Sequence, residues 1–155
     1  NGHEGASMVF GTGKWYYEQT LEKAAERGIE IKDNIRIKDY IEDMENYLAA
    51  CDLVISRAGA LSVAETTVCG KAAVLIPSPN VTGNHQYYNA KAVADRGGAV
   101  LLEEKDLTAE TLIREVMRLK NNPKLLSQMG NASRTCAPDK ALDIIYGTIR
   151  DIAGK

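Results

Sequence analysis

Short apolar runs alternate along the chain with longer stretches in which apolar residues return every three or four positions. The runs at 9–10, 35–37, 53–55, 72–76 and 99–102 read as strands, and most are continuous rather than alternating. Continuous apolar strands are those covered on both faces of a sheet. Between them the periodicity predicts helices over residues 15 to about 27, 41–50, 61–69 and 85–96. Three more close the chain, at about 108–120, 123–132 and 139–152. The punctuation agrees: Gly28, Gly70 and Gly97-Gly98 follow helices, and Pro77 and Pro79 follow the 72–76 run. Strand and helix in regular alternation predict βαβ units, and so an α/β fold with a Rossmann-like parallel sheet and flanking helices. Ligands of such sheets sit beyond the carboxyl ends of the strands, where the glycine-rich segments of this chain fall.

Composition narrows the function classes. The 155 residues suit one domain, 45% hydrophobic and 26% charged, with formal net charge −2 and both signs interspersed. Nucleic-acid binding needs a clustered basic face, which the pattern does not supply. The longest apolar run, 72–76, is far short of a membrane span, and no signal peptide is legible. Cys51, Cys69 and Cys136 are widely spaced without a C-x-x-C pair, and the histidines are His3 and His85 alone. No metal site or cofactor is predicted, and the thiols read as reduced and mostly buried in a cytosolic protein. Residues 1–8 show no apolar period and read as a leader or cloning remnant, leaving 9–155 as the domain.

Four segments carry candidate chemistry. In Ser56-Arg57-Ala58-Gly59-Ala60-Leu61-Ser62-Val63-Ala64-Glu65, small residues join a buried strand to a helix. Such a junction lets a ligand approach the backbone, and the helix N-terminus suits a diphosphate. Arg57 can add a charge-assisted bond, and Glu65 can accept from ribose hydroxyls. Ser62-x-x-Glu65 is equally a capping box, which would explain both side chains as helix caps. In Asn84-His85-Gln86-Tyr87-Tyr88-Asn89-Ala90, amides, an imidazole and two phenols gather at a helix start. They suit sugar hydroxyls, although His85 can be a plain cap or surface residue and the tyrosines core. Gly11-Thr12-Gly13-Lys14 fails the P-loop pattern, because Met8 and Trp15 stand where Gly and Ser or Thr belong; it reads as a tight turn at a strand end. Glu42, Asp43 and Glu45 read as a solvated helix start rather than a metal site, since no Asp-x-Asp pair is present.

Taken in order, 11–14, Tyr40-Ile41-Glu42-Asp43-Met44, 56–65 and His85-Gln86-Tyr87-Tyr88-Asn89-Ala90 resemble the MurG family, over nearly everything from Val9 onward. These bacterial transferases move N-acetylglucosamine from UDP onto lipid I to form lipid II in peptidoglycan synthesis. The resemblance implies a GT-B fold, of which this chain would be the C-terminal, donor-binding half. It implies that Thr12 touches phosphate and that the Ile41 backbone reads uracil. It gives the diphosphate and sugar to Arg57, Gly59, Ala60, Leu61 and Ser62, the ribose hydroxyls to Glu65, and the sugar hydroxyls to Gln86, with His85 and Asn89 on the same helix. The chain departs from the pattern in three places. His85 stands where the family often has a second Gln, Ser62 stands where Thr is common, and a front strand with a Gly-Gly-Ser-x-Gly loop has no counterpart.

By the same resemblance the reaction inverts the anomeric carbon in one displacement, with the catalytic base in an N-terminal acceptor domain that also holds lipid I. No catalytic residue is therefore assigned to this chain, and this half inserts no segment into the membrane. The intact enzyme would work in the cytoplasm, peripheral on the inner face of the cell membrane. Two other readings stay open: the donor-binding part of another GT-B enzyme, such as a UDP-sugar epimerase, or a free-standing nucleotide-sugar-binding subunit with a separate partner.

Overall fold

The computed structural model describes residues 5–154, so residues 1–4 of the expected leader, with His3, lie outside the described residues. The chain divides into two compact units, residues 1–44 and 45–155.

The first unit is one βαβ element. Strand β1 (Met8–Gly11) pairs in parallel with β2 (Ile35–Lys38), Met8 opposite Ile35 and Gly11 opposite Lys38. A 3-10 turn (Lys14–Tyr16) and helix α1 (Tyr17–Glu26) connect them. The predicted helix start at residue 15 is thus two residues early: Gly13, at φ 78°, turns the chain, and the 3-10 turn follows before α-helix is established. Strand β1 begins at Met8 rather than Val9, with the Met8 N–H donating to the Asn34 carbonyl at 2.8 Å. Asn34 Nδ2 donates in turn to the Ala6 carbonyl at 2.7 Å.

The second unit holds a three-stranded parallel sheet in the order β3 (Leu53–Ser56), β4 (Ala72–Leu75), β5 (Ala99–Leu101). All five expected strands are present and parallel, shared between a two-stranded and a three-stranded sheet. Strand β4 lies in the middle and is wholly buried. Its alternate residues serve opposite faces. Ala73 and Leu75 pack with Ala58, Ala90 and Val93, while Ala72 and Val74 pack with Leu119 and Met129. An unbroken apolar run is what two-sided burial demands, and that is why this strand was readable.

Helices α3 (Ala60–Val68) and α4 (His85–Ala94) supply the first layer, and α5 (Ala109–Lys120) and α6 (Pro123–Arg134) the second; α2 (Met44–Ala50) precedes β3. The α2 start lies three residues beyond the expected 41, because Glu42 and Asp43 form a turn ahead of it. Thr108 caps α5, exchanging bonds with Thr111, and the Asn122 side chain caps α6 ahead of Pro123. Helix α6 runs hard against the sheet's loops: a Cβ on Gly130 would stand 2.6 Å from the Gly70 carbonyl oxygen, and one on Gly98 2.7 Å from the Ser133 backbone. Helix α7 (Ala141–Ala153) buries none of its residues, and Leu142, Ile145, Ile149 and Ile152 on it are exposed. Among the described residues no helix is long and apolar enough to cross a membrane.

Candidate functional site

Strand β3 ends at Ser56 and α3 begins at Ala60, so Arg57-Ala58-Gly59 makes the whole turn. Ala58 is fully buried and Gly59 sits in extended backbone, φ −62° and ψ 149°, as the residue before the helix. No side chain caps α3 there. The first bond inside the helix runs from the Val63 N–H to the Gly59 carbonyl, 3.0 Å. The N–H groups of Ala60, Leu61 and Ser62 have no acceptor among the described residues and carry the positive end of the helix dipole.

The capping-box alternative fails on register. Ser62 is already inside the helix, and neither Ser62 nor Glu65 bonds through its side chain among the described residues. Three residues apart, the two side chains share one helix face, and Glu65 is exposed. A hydroxyl, a carboxylate and three open N–H groups are therefore available at one strand end.

Arg57 is engaged. Its Nη1 donates to Glu104 Oε2 at 2.5 Å and faces the Ile76 carbonyl at 3.5 Å. The ion pair was not legible in the sequence, because exposed charges 47 residues apart carry no pattern.

Helix α4 is entered through a 3-10 turn (Thr82–Asn84) with two consecutive left-handed residues, Gly83 at φ 65° and Asn84 at φ 52°. His85 Nδ1 lies 2.8 Å from the Thr82 carbonyl. A carbonyl only accepts, so Nδ1 carries the proton and Nε2 of the neutral ring is an acceptor. Gln86 Oε1 accepts from the Ser78 N–H at 2.9 Å, fastening the loop after β4 and leaving its NH2 to donate. Asn89 Nδ2 donates to the Ala58 carbonyl at 3.1 Å, fastening the loop after β3 and leaving Oδ1 to accept. Both amides thus shape the turns as well as presenting polar atoms, a role the sequence reading missed. Tyr87 and Tyr88 meet edge to face, centroids 5.7 Å apart. Tyr87 also lines a cleft of about 320 Å³ with Pro77, Pro79 and Glu104, at the carboxyl ends of β4 and β5.

Thr12 and Ile41 belong to the first unit. The Thr12 N–H donates to the Lys38 carbonyl at 2.9 Å, and its hydroxyl lies 3.2 Å from the same oxygen and 3.1 Å from the Gly13 carbonyl. That hydroxyl can donate to a phosphate only by turning away from them. Ile41 Cδ1 would stand 3.1 Å from a Cβ on Gly11, so the glycine makes room for it. Among the described residues no group of three His, Cys, Asp or Glu side chains could hold a metal ion. Burial pushes the Cys51 thiol above its usual range, with Lys71 opposing the shift.

The sequence profile of the glycosyltransferase family 28 C-terminal domain matches residues 3–144. The chain belongs to glycosyltransferase family 28. Among curated relatives, it is 40% identical over 150 residues to the UDP-N-acetylglucosamine--N-acetylmuramyl-(pentapeptide) pyrophosphoryl-undecaprenol N-acetylglucosamine transferase of Clostridioides difficile (strain 630), covering 97% of this chain and 36% of that protein. The like-named protein of Bacillus cytotoxicus is 38% identical over 154 residues, 99% of this chain and 42% of that one. The crystal structure of Acinetobacter baumannii MurG superposes with a TM-score of 0.80 at 31% identity, over 94% of this chain and 43% of that one. The glycosyltransferase VinC, solved with dTDP, gives 0.62 at 22% identity over 83% of this chain and 32% of that one, a likeness of fold alone. The chain of this family 28 domain thus spans about two fifths of the length of the curated relatives it matches.

Proposed function

We propose that this domain grips UDP-N-acetylglucosamine for an inverting glycosyltransferase that builds lipid II from lipid I. The observation that supports it best is the uncapped start of α3, where three open N–H groups adjoin Arg57, Ser62 and Glu65. The diphosphate lies on those N–H groups and on Arg57, the ribose hydroxyls on Glu65, and the sugar hydroxyls on the free halves of Gln86 and Asn89. As the bond from the anomeric carbon to the diphosphate oxygen breaks, negative charge grows on UDP, and the helix N-terminus stabilises it there. The base that takes the acceptor's proton comes from outside this chain. The relatives' name, which specifies this donor and this acceptor class, favours the assignment over other GT-B chemistry. On this reading the intact enzyme is cytoplasmic and peripheral on the inner face of the cell membrane.

Calorimetric titration of the chain with UDP-N-acetylglucosamine, against UDP-N-acetylgalactosamine and ADP, tests the proposal. Preference for uridine and for the gluco sugar is expected. Glu65→Ala should weaken UDP-N-acetylglucosamine by roughly tenfold, the scale of losing hydrogen bonds to a charged acceptor. Equal affinity for ADP, or an unchanged Glu65→Ala, would sink it.

A further inference from the structure

No motif singles out Glu104. It opens the 3-10 turn Glu104–Asp106 that follows β5, and its Oε2 takes Arg57 Nη1 at 2.5 Å. The same Nη1 faces the carbonyl of buried Ile76, the residue just past β4. One guanidinium nitrogen therefore meets two acceptors carried by the ends of adjacent strands. Nε and Nη2 keep their donors without a partner among the described residues.

That division matters because guanidinium is a rigid planar fork. Holding one arm orients the plane, and the remaining edge is the one that can meet an anion through two parallel bonds. A free arginine loses rotamer freedom when an anion orders it; one already held has lost it beforehand. We propose that Glu104 is a positioning residue for the diphosphate, fixing Arg57 so that its Nε and Nη2 face the ligand; this rests on the donor-site reading above. A carboxylate near a diphosphate also repels it, but the two side chains are 51% and 39% exposed, so solvent screens that repulsion. The Arg57–Glu104 contact need not break for the ligand to bind.

The test titrates the chain with UDP and with uridine, in wild type, Glu104→Ala, Glu104→Gln, Arg57→Ala and the Arg57→Ala/Glu104→Ala pair, with melting temperature as the folding control. Glu104→Ala should weaken UDP about threefold to fivefold, the scale of one half-exposed ion pair, and leave uridine unchanged. Glu104→Gln, which keeps an accepting oxygen at the same reach, should recover part of the loss. In the Arg57→Ala background the Glu104 change should do nothing further. Tighter UDP binding by Glu104→Ala would mean that the carboxylate competes with the ligand, and would overturn the positioning role. So would equal losses in both backgrounds, or a loss in Arg57→Ala with none in Glu104→Ala; these leave the donor site standing. A wild type that does not bind UDP, or an Arg57→Ala that binds as wild type does, overturns the donor-site reading and this role together.

Discussion

Two sets of glycines in the second unit look alike in sequence and do opposite work. Gly98 and Gly130 have no room: an added Cβ would fall 2.7 Å and 2.6 Å from backbone atoms of Ser133 and Gly70. Gly59 has room, its nearest neighbour being Ser62 Oγ at 3.9 Å, and its φ of −62° is open to any residue. The first pair lets α6 close on the sheet; the second leaves the start of α3 uncovered. A parallel contrast separates the helix starts, since Thr108 and Asn122 satisfy the first turns of α5 and α6 while nothing does so for α3. Helices α1, α4 and α7 also begin without a side-chain cap among the described residues, so openness alone does not set α3 apart; its start is set apart by following β3 through a three-residue turn, with Arg57 in that turn and Gly59 as the residue before the helix.

The contrast can be broken where the effect is largest. Helix propensity alone would favour Gly130→Ala by about 1 kcal/mol. Contact with a fixed carbonyl should reverse that sign and destabilise the protein by about 2–3 kcal/mol. In urea denaturation the midpoint should fall with the slope unchanged; a midpoint at or above wild type would mean that α6 does not pack this closely. Next comes Thr108→Ala, which removes a cap made inside the protein and should cost about 1 kcal/mol without touching nucleotide affinity. Smallest in stability is Gly59→Ala, about 0.5 kcal/mol, the modest preference for glycine over alanine at a helix start. Its effect should appear instead in binding, as a loss of roughly tenfold in UDP affinity if the diphosphate lies against this backbone. Unchanged affinity would place the ligand elsewhere.

Much of this arrangement could be read from the chain before any coordinates. Strand β4 announced itself because both of its faces are buried, so every residue from Ala72 to Ile76 is apolar. The turn after β3 was found because small residues between a strand and a helix leave few alternatives. Where the reading slipped, local pattern and register disagreed. Ser62-x-x-Glu65 has the spelling of a capping box, but Ala60 and Leu61 already belong to the helix, which puts Ser62 inside it. The start of β1 at Met8 was hidden because the residues just before it, Gly5-Ala6-Ser7, show no periodicity; the Asn34 side chain holds the Ala6 carbonyl from 28 residues away. The same distance problem concealed Asn89 on the Ala58 carbonyl and Glu104 on Arg57. Bonds that tie one loop to another depend on how the strands are ordered, and no short window of sequence contains that order.

The most direct check of the account follows the backbone amides of the chain by NMR while UDP is added. The largest shifts should fall on the N–H groups of Ala60, Leu61 and Ser62, moving downfield as each gains an anionic acceptor, while Cys51, Lys71 and Gly130 at the opposite ends of the strands stay still. Saturable shifts that spare the start of α3 and appear instead at those opposite ends would contradict the account.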